Sequence, residues 1–95
     1  MRVIIMKVNL KADWVHSLKE KRMVVKSVVA KLQNKFNISV CEVENQDIHN
    51  FITIGIVGVA LDVKICDSTI DNIINYIEEI TDAEIIDIEQ EVNLY

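Results

Sequence analysis

Hydrophobic and polar side chains alternate at the start of the chain. Ile4, Met6, Val8 and Leu10 fall on one face, and Val3, Ile5, Lys7, Asn9 and Lys11 on the other. A period of two with β-branched residues predicts a strand with one face fully buried. Ala12 to His16 then supply a turn. Ser17 and Glu20 have the S-x-x-E spacing of a capping box, in which hydroxyl and carboxylate each accept from an orphan backbone N–H. Leu18, Val25, Val28, Val29, Leu32 and Phe36 share one stripe of the helix that follows, and Asn37 is expected to end it in the left-handed conformation. Residues 38–45, ISVCEVEN, predict a second strand. Its apolar phase slips from Ile38 and Val40 to Cys41 and Val43, the mark of a bulge or an edge position.

Phe51 to Leu61 is an almost unbroken apolar run, as a central strand buried on both faces requires, with Gly55 and Gly58 on its opposite faces. Val63, Cys66, Ile70, Ile73, Ile77 and Ile80 step by three and four. They predict a second helix that starts early, after Asp62 rather than Asp67. Glu84 to Leu94 alternates again, with Ile86, Ile88 and Val92 on one face and Asp87, Glu89 and Glu91 on the other. The order is therefore β-α-β-β-α-β. Short connections and right-handed crossovers lead from this order to one α+β domain over residues 1–95, a ferredoxin-like two-layer sandwich. Its four-stranded antiparallel sheet has the spatial order 4-1-3-2, with both helices on one face. In that arrangement Asp87, Glu89 and Glu91 lie opposite Lys7 and Lys11 on the helix-free face, where opposite charges attract across strands.

Composition narrows the class. With 51% hydrophobic and 26% charged residues, two glycines and no proline, the chain is neither a disordered tail nor a loop-dominated disulfide scaffold. The longest uncharged stretch, Ile48 to Leu61, holds 14 residues where a membrane helix needs about 20. The apolar run before Lys7 is too short for the core of a signal peptide. Cys41 and Cys66 form no C-x-x-C pair and are expected to be free, buried thiols of a cytoplasmic protein.

The net charge of −5 conceals a division. Residues 1–35 hold nine basic side chains against Asp13 and Glu20, while residues 36–95 hold Lys64 against thirteen acids. Such asymmetry marks either a partner surface or two elements that neutralise each other internally.

The segment His16-Ser17-Leu18-Lys19-Glu20-Lys21-Arg22 sharpens the choice. Lys19, Lys21 and Arg22 crowd the first turns of a helix, where the macrodipole disfavours each cation by a few tenths of a kcal/mol. At helical spacing Lys19, Arg22 and Lys26 form a stripe beside the apolar face, with Lys21 on its other flank. A local rule broken without visible gain is where function is expected. With the orphan N–H groups capped by Ser17 and flanked by His16, these cations suit an anion such as an RNA phosphate. The competing expectation pairs the basic helix with Asp71, Glu78 and Glu79 of the second helix and with the last strand.

HSLKEKR followed by Val24-Val25, then Phe36 to Val43 and the pair Gln46-Asp47, resembles the YlxP-like proteins, a bacterial family of about this length filed as a domain of unknown function. The resemblance implies a ferredoxin-like sandwich and no established activity. Its members are often encoded beside translation initiation and ribosome-maturation factors, which implies association with RNA or the ribosome. Members often carry a tryptophan shortly after the Gln-Asp pair, where this chain has His49-Asn50-Phe51.

Other chemistry is thin. His16, Cys41, His49 and Cys66 lack the short spacings of zinc ligands, so no metal is expected. No phosphate-loop, dinucleotide or nucleophile-elbow motif occurs, so no cofactor and no enzyme are expected. Glu42 and Glu44, on one face of the second strand, are either paired carboxylates or the charged guard of an edge. The expectation is a non-enzymatic module bound to RNA or the ribosome through its first helix. The alternative is a homodimer or other protein-interaction module that buries Val3, Ile5 and one side of residues 51–61 on the helix-free face. Neither a membrane nor a DNA-specific signal is present.

Overall fold

The first strand, β1 (Arg2–Lys11), occupies the interior of a four-stranded antiparallel sheet of order β2-β3-β1-β4, a computed structural model describing residues 1–95. The remaining elements are α1 (Leu18–Lys35), β2 (Ile38–Glu44), β3 (Phe51–Ala60), α2 (Val63–Ile80) and β4 (Glu84–Leu94). This is the predicted ferredoxin-like sandwich, with its element order and strand order as expected. Both helices cover one face of the sheet. Ile4, Met6, Val8 and Leu10 of β1 meet Ile52, Ile54 and Ile56 of β3 there, beneath Val28 and Leu32 of α1 and Cys66, Ile70, Ile73 and Ile77 of α2. The period of two in the strands and of three and four in the helices thus converges on one core of 17 residues.

Both helices start where a side-chain oxygen caps them. Ser17, in extended backbone, accepts the Glu20 N–H at Oγ (3.1 Å), and Asp62 accepts the Ile65 N–H at Oδ1 (2.9 Å). The capping box closes through side chains: the Ser17 hydroxyl lies 3.5 Å from Glu20 Oε1. The far end of α1 departs from expectation. Phe36 adopts extended backbone, its N–H still donating to Leu32 O, and Asn37 is not left-handed; the one positive φ is at Asn45 (61°). The Phe36 ring packs edge-on against Tyr76 of α2 at 5.7 Å, which turns the chain directly into β2.

Two register shifts rearrange what simple alternation predicts. β2 is an edge strand and also bulged, but the register is regular across the phase slip from Val40 to Cys41; the extra residue is Val43, since Glu42 pairs with Ile54 and Glu44 with Thr53. Glu42 and Glu44 therefore lie on opposite faces of the sheet, not on one. A second shift, between Asn9 and Leu10, pairs Asn9 with Asp87 and Leu10 with Ile85. Ile86 is the extra residue and is exposed, so Ile85 takes the place on the core that the pattern gave to Ile86. Cys41 is also exposed, on the helix-free face, while Cys66 is buried.

Candidate functional site

Of the six basic residues of α1, Lys21 is buried and the other five, Lys31 and Lys35 included, are exposed. Lys19, Arg22 and Lys26 project into solvent, and none has a carboxylate oxygen within 4.0 Å. Neither the acids of α2 nor those of β4 reach them, so the expected internal neutralisation does not occur for this stripe. Ser17 is spent as the cap. His16, one residue earlier, is exposed beside it, and the first-turn N–H groups of Leu18 and Lys19 have no helical acceptor.

Lys21 is the buried one and is corrected as an anion-binding residue. It is 1% exposed. Its ammonium donates to the carbonyl oxygens of Asn45 and Ile48 (2.8 Å to the latter) and lies 2.9 Å from Glu42 Oε2. The Glu42 contact is an ion pair by distance, although it is not aligned as a hydrogen bond. Two carbonyl oxygens and the carboxylate of Glu42 enclose an ammonium that is almost without exposure, so no external phosphate reaches it. Glu42 lies beneath α1 because it follows Val40 in regular alternation, and the bulge at Val43 sends Glu44 to the other face.

Lys21 thereby clamps the β2–β3 loop from below. The loop is also held by Ala12 N–H donating to Asn50 O at 2.8 Å and by Ile48 N–H donating to Asn45 O at 3.0 Å. Asn45 Nδ2 donates to Thr53 Oγ1 (2.8 Å), which donates to Asn9 Oδ1 (2.7 Å). Those bonds satisfy Thr53, a polar residue buried completely within β3. The two segments that carry the family resemblance, one around Lys21 and one from Phe36 to Asp47, thus meet in space.

The same position was legible from spacing. Lys21, Val28 and Leu32 are separated by seven and four residues, so the lysine lies within the apolar stripe, with no aliphatic residue in its place. A cation at such a position needs a buried acceptor set.

On the helix-free face Lys7 is the centre of charge. Its Nζ is 2.8 Å from Glu44 Oε1 and 3.9 Å from Glu89 Oε2. The hydrogen bond to Glu44, then the negative charge of Glu44, raise the Lys7 pKa above its ordinary value against some desolvation, with Glu89 adding a little. The charge contact expected between β1 and β4 is narrower than the pattern suggested. Lys7 opposes Glu89, but Asp87 opposes Asn9, Glu91 opposes Ile5, and Lys11 pairs with Asp13 at 3.6 Å. Glu42 and Glu44, each bound to a different lysine on a different face, do not form a carboxylate pair.

A groove of about 540 Å³ crosses this face, with Gly55, Val57, Ile5 and Cys41 among its walls. No helix is long and apolar enough to cross a membrane.

Fold and surface together define a small ferredoxin-like module with a solvent-facing cationic stripe on its first helix and no set of His, Cys, Asp and Glu grouped to hold a metal. Residues 3–90 match the family model described as "Protein of unknown function (DUF503)", and the chain belongs to that family. It is also 32% identical over 68 residues to the "Uncharacterized protein YlxP" of Bacillus subtilis (strain 168), a match covering 72% of this chain and 74% of that protein.

Proposed function

We propose that this protein is a non-enzymatic RNA-binding module that takes phosphates on the outer face of α1 through Lys19, Arg22 and Lys26. The observation that carries this reading is that these three cations are exposed and unpaired in a chain with fifteen acids. Lys31 and Lys35, farther along α1, are also exposed and in no ion pair, so this helix keeps an attractive surface toward a polyanion. The capped helix N-terminus, with His16 beside it, adds partial positive charge at the head of the stripe.

The helix-free face does not suit RNA. Single strands bind sheets of this topology through stacked aromatic side chains. Here Phe51 is the only aromatic on the faces of β1 and β3, and β4 adds Asp87, Glu89 and Glu91. An RNA contact at the helix follows, with the ribosome as its natural source of structured strands.

Filter binding of RNA across a salt series tests the reading, using the wild type and the triple variant Lys19→Glu/Arg22→Glu/Lys26→Glu. Removing three phosphate contacts should lower affinity strongly at low salt and reduce the slope of log K against log salt by about 2. No measurable affinity at low salt, or equal binding by the triple variant, refutes it. The far-UV circular dichroism of the variant should be unchanged, because all three side chains are exposed.

A further inference from the structure

The turn between β1 and α1 puts the chain's only tryptophan at the surface. Its ends, Ala12 and Val15, are buried in the core, and the Val15 N–H donates to Ala12 O at 3.1 Å. Asp13 and Trp14 form the apex, and Trp14 is 44% exposed. Buried neighbours on both sides therefore fix where the indole stands. It lines a groove of about 300 Å³ together with Met23, Ser27, Ile80, Thr81 and Asp82. Met23 is 67% exposed. One apolar side chain on a surface needs no explanation, but an indole and a thioether sharing one open groove mark a contact surface.

Helical spacing fixes how this groove relates to the cations of α1. Lys19 lies four residues before Met23 and Lys26 three after it, so both are surface neighbours of Met23, with Cβ atoms about 5–6 Å away. At 100° per residue these two lysines fall on one side of Met23, and Ser27, a wall of the groove, falls on the other. Met23 is thus a low ridge with cations on one flank and the indole groove on the other. We infer that the groove takes an unpaired base of an RNA whose phosphates lie on Lys19 and Lys26, with the base stacked on Trp14. The inference rests on the reading of the α1 stripe proposed above and gives it a ligand class: RNA with unpaired nucleotides, in single strands, loops or bulges, and not continuous duplex.

Charge complementarity selects a nucleotide as the occupant. A nucleotide joins an anionic group to a flat π-face through one sugar, and the surface offers cations and an aromatic face on the two sides of one side chain. Asp82 sets the direction. It is exposed, in no ion pair, and stands in the groove, so it repels phosphate from the indole side. Its carboxylate accepts hydrogen bonds only, which suits the amino groups on a base edge. The other exposed aromatic, Tyr95, bonds through its N–H to Met1 at the far end of β1, so it does not serve the stripe. A continuous duplex keeps its bases stacked within the helix, so it meets the lysines through phosphates and leaves Trp14 without a partner.

Trp14 reports on its own contact, because no other indole contributes to the emission. Titrating the full chain with a short single-stranded RNA should quench its fluorescence, with the midpoint that filter binding gives for the same RNA. A long, fully paired RNA duplex should leave the emission nearly unchanged, even at concentrations where filter binding shows it bound. Trp14→Leu should weaken binding of the single strand about tenfold, as loss of one stacked base does, and Trp14→Phe should stay within about threefold of the wild type. Duplex affinity should be the same for all three proteins. A single strand that binds to the filter without quenching Trp14 overturns this inference and leaves the α1 reading standing. Equal binding of the single strand by Trp14→Leu, or equal quenching by the duplex, does the same. Absence of any RNA binding at low salt overturns both. The wild-type titration decides the matter by itself if either variant fails to fold.

Discussion

Replacing Lys21 by Met keeps the length and apolar stem of the side chain and removes only its ammonium. The structure sets the size of the effect. Ile48 O loses its donor from Lys21, whereas Asn45 O keeps one from the Ile48 N–H. Glu42 is left with its charge and no cation, and its side chain retains 20% exposure. Breaking a buried ion pair by removing one partner costs about 3–5 kcal/mol, and the water that reaches Glu42 moves the expectation to the lower end, about 3 kcal/mol. For a domain of this size that is a fall in Tm on the order of 10–20 °C. Chemical denaturation followed by far-UV circular dichroism measures it. Adding Glu42→Leu should recover a substantial part of the loss, because the stranded charge goes with it, and a double-mutant cycle should show coupling above about 1 kcal/mol. If Lys21→Met costs less than about 1 kcal/mol, or if Glu42→Leu adds its full cost on top, the clamp is not what holds the loop.

Two further outcomes follow from the local geometry. Ser17→Ala should cost about 1 kcal/mol in denaturation experiments, since the Glu20 N–H loses its acceptor, while Ser17→Asp should keep the cap. Equal stability of all three proteins would show that the cap contributes nothing. The raised pKa of Lys7 makes the stability it contributes fully present below the unfolded value, about 10.4, and lost as pH rises through the higher folded value. Glu44→Gln should bring the Lys7 titration, followed by NMR of the side-chain Cε or Nζ, back toward the ordinary value, and an unmoved midpoint would refute the pairing.

Element order, both caps and the strand order were readable because they depend on periodicity and on residues adjacent in sequence. Asp62 shows this well: three and four spacing from Val63 favoured it over Asp67, and it is the cap. The slip of apolar phase in β2 marked its edge position, since Cys41 and Val43 are apolar residues on the open face, and the bulge itself, at Val43, left no mark in the alternation. Ile85 and Ile86 are equivalent to such a reading, and only the pairing of Leu10 decides between them. Asn37 had the right chemistry for a helix end, yet the contact of Phe36 with Tyr76, forty residues on, took precedence. Of the candidate site, Lys19, Arg22 and Lys26 fell on one outward stripe as predicted. Lys21, read on the other flank, is buried; its spacing to Val28 and Leu32 carries that burial, but not its carbonyl partners, which lie 24 and 27 residues away.

The side-by-side placement of the two helices has a consequence at long range. α1 carries Lys19, Lys21, Arg22, Lys26, Lys31 and Lys35 against Glu20 alone, while α2 and the outer strand β4 are predominantly acidic. The molecule is therefore an electric dipole as well as a net anion. In the field of a large polyanion it experiences a torque before any contact forms, rotating its α1 flank forward and its β4 flank away. Diffusional encounters are then filtered by orientation, and raising ionic strength should weaken that alignment before it alters any bond within the fold.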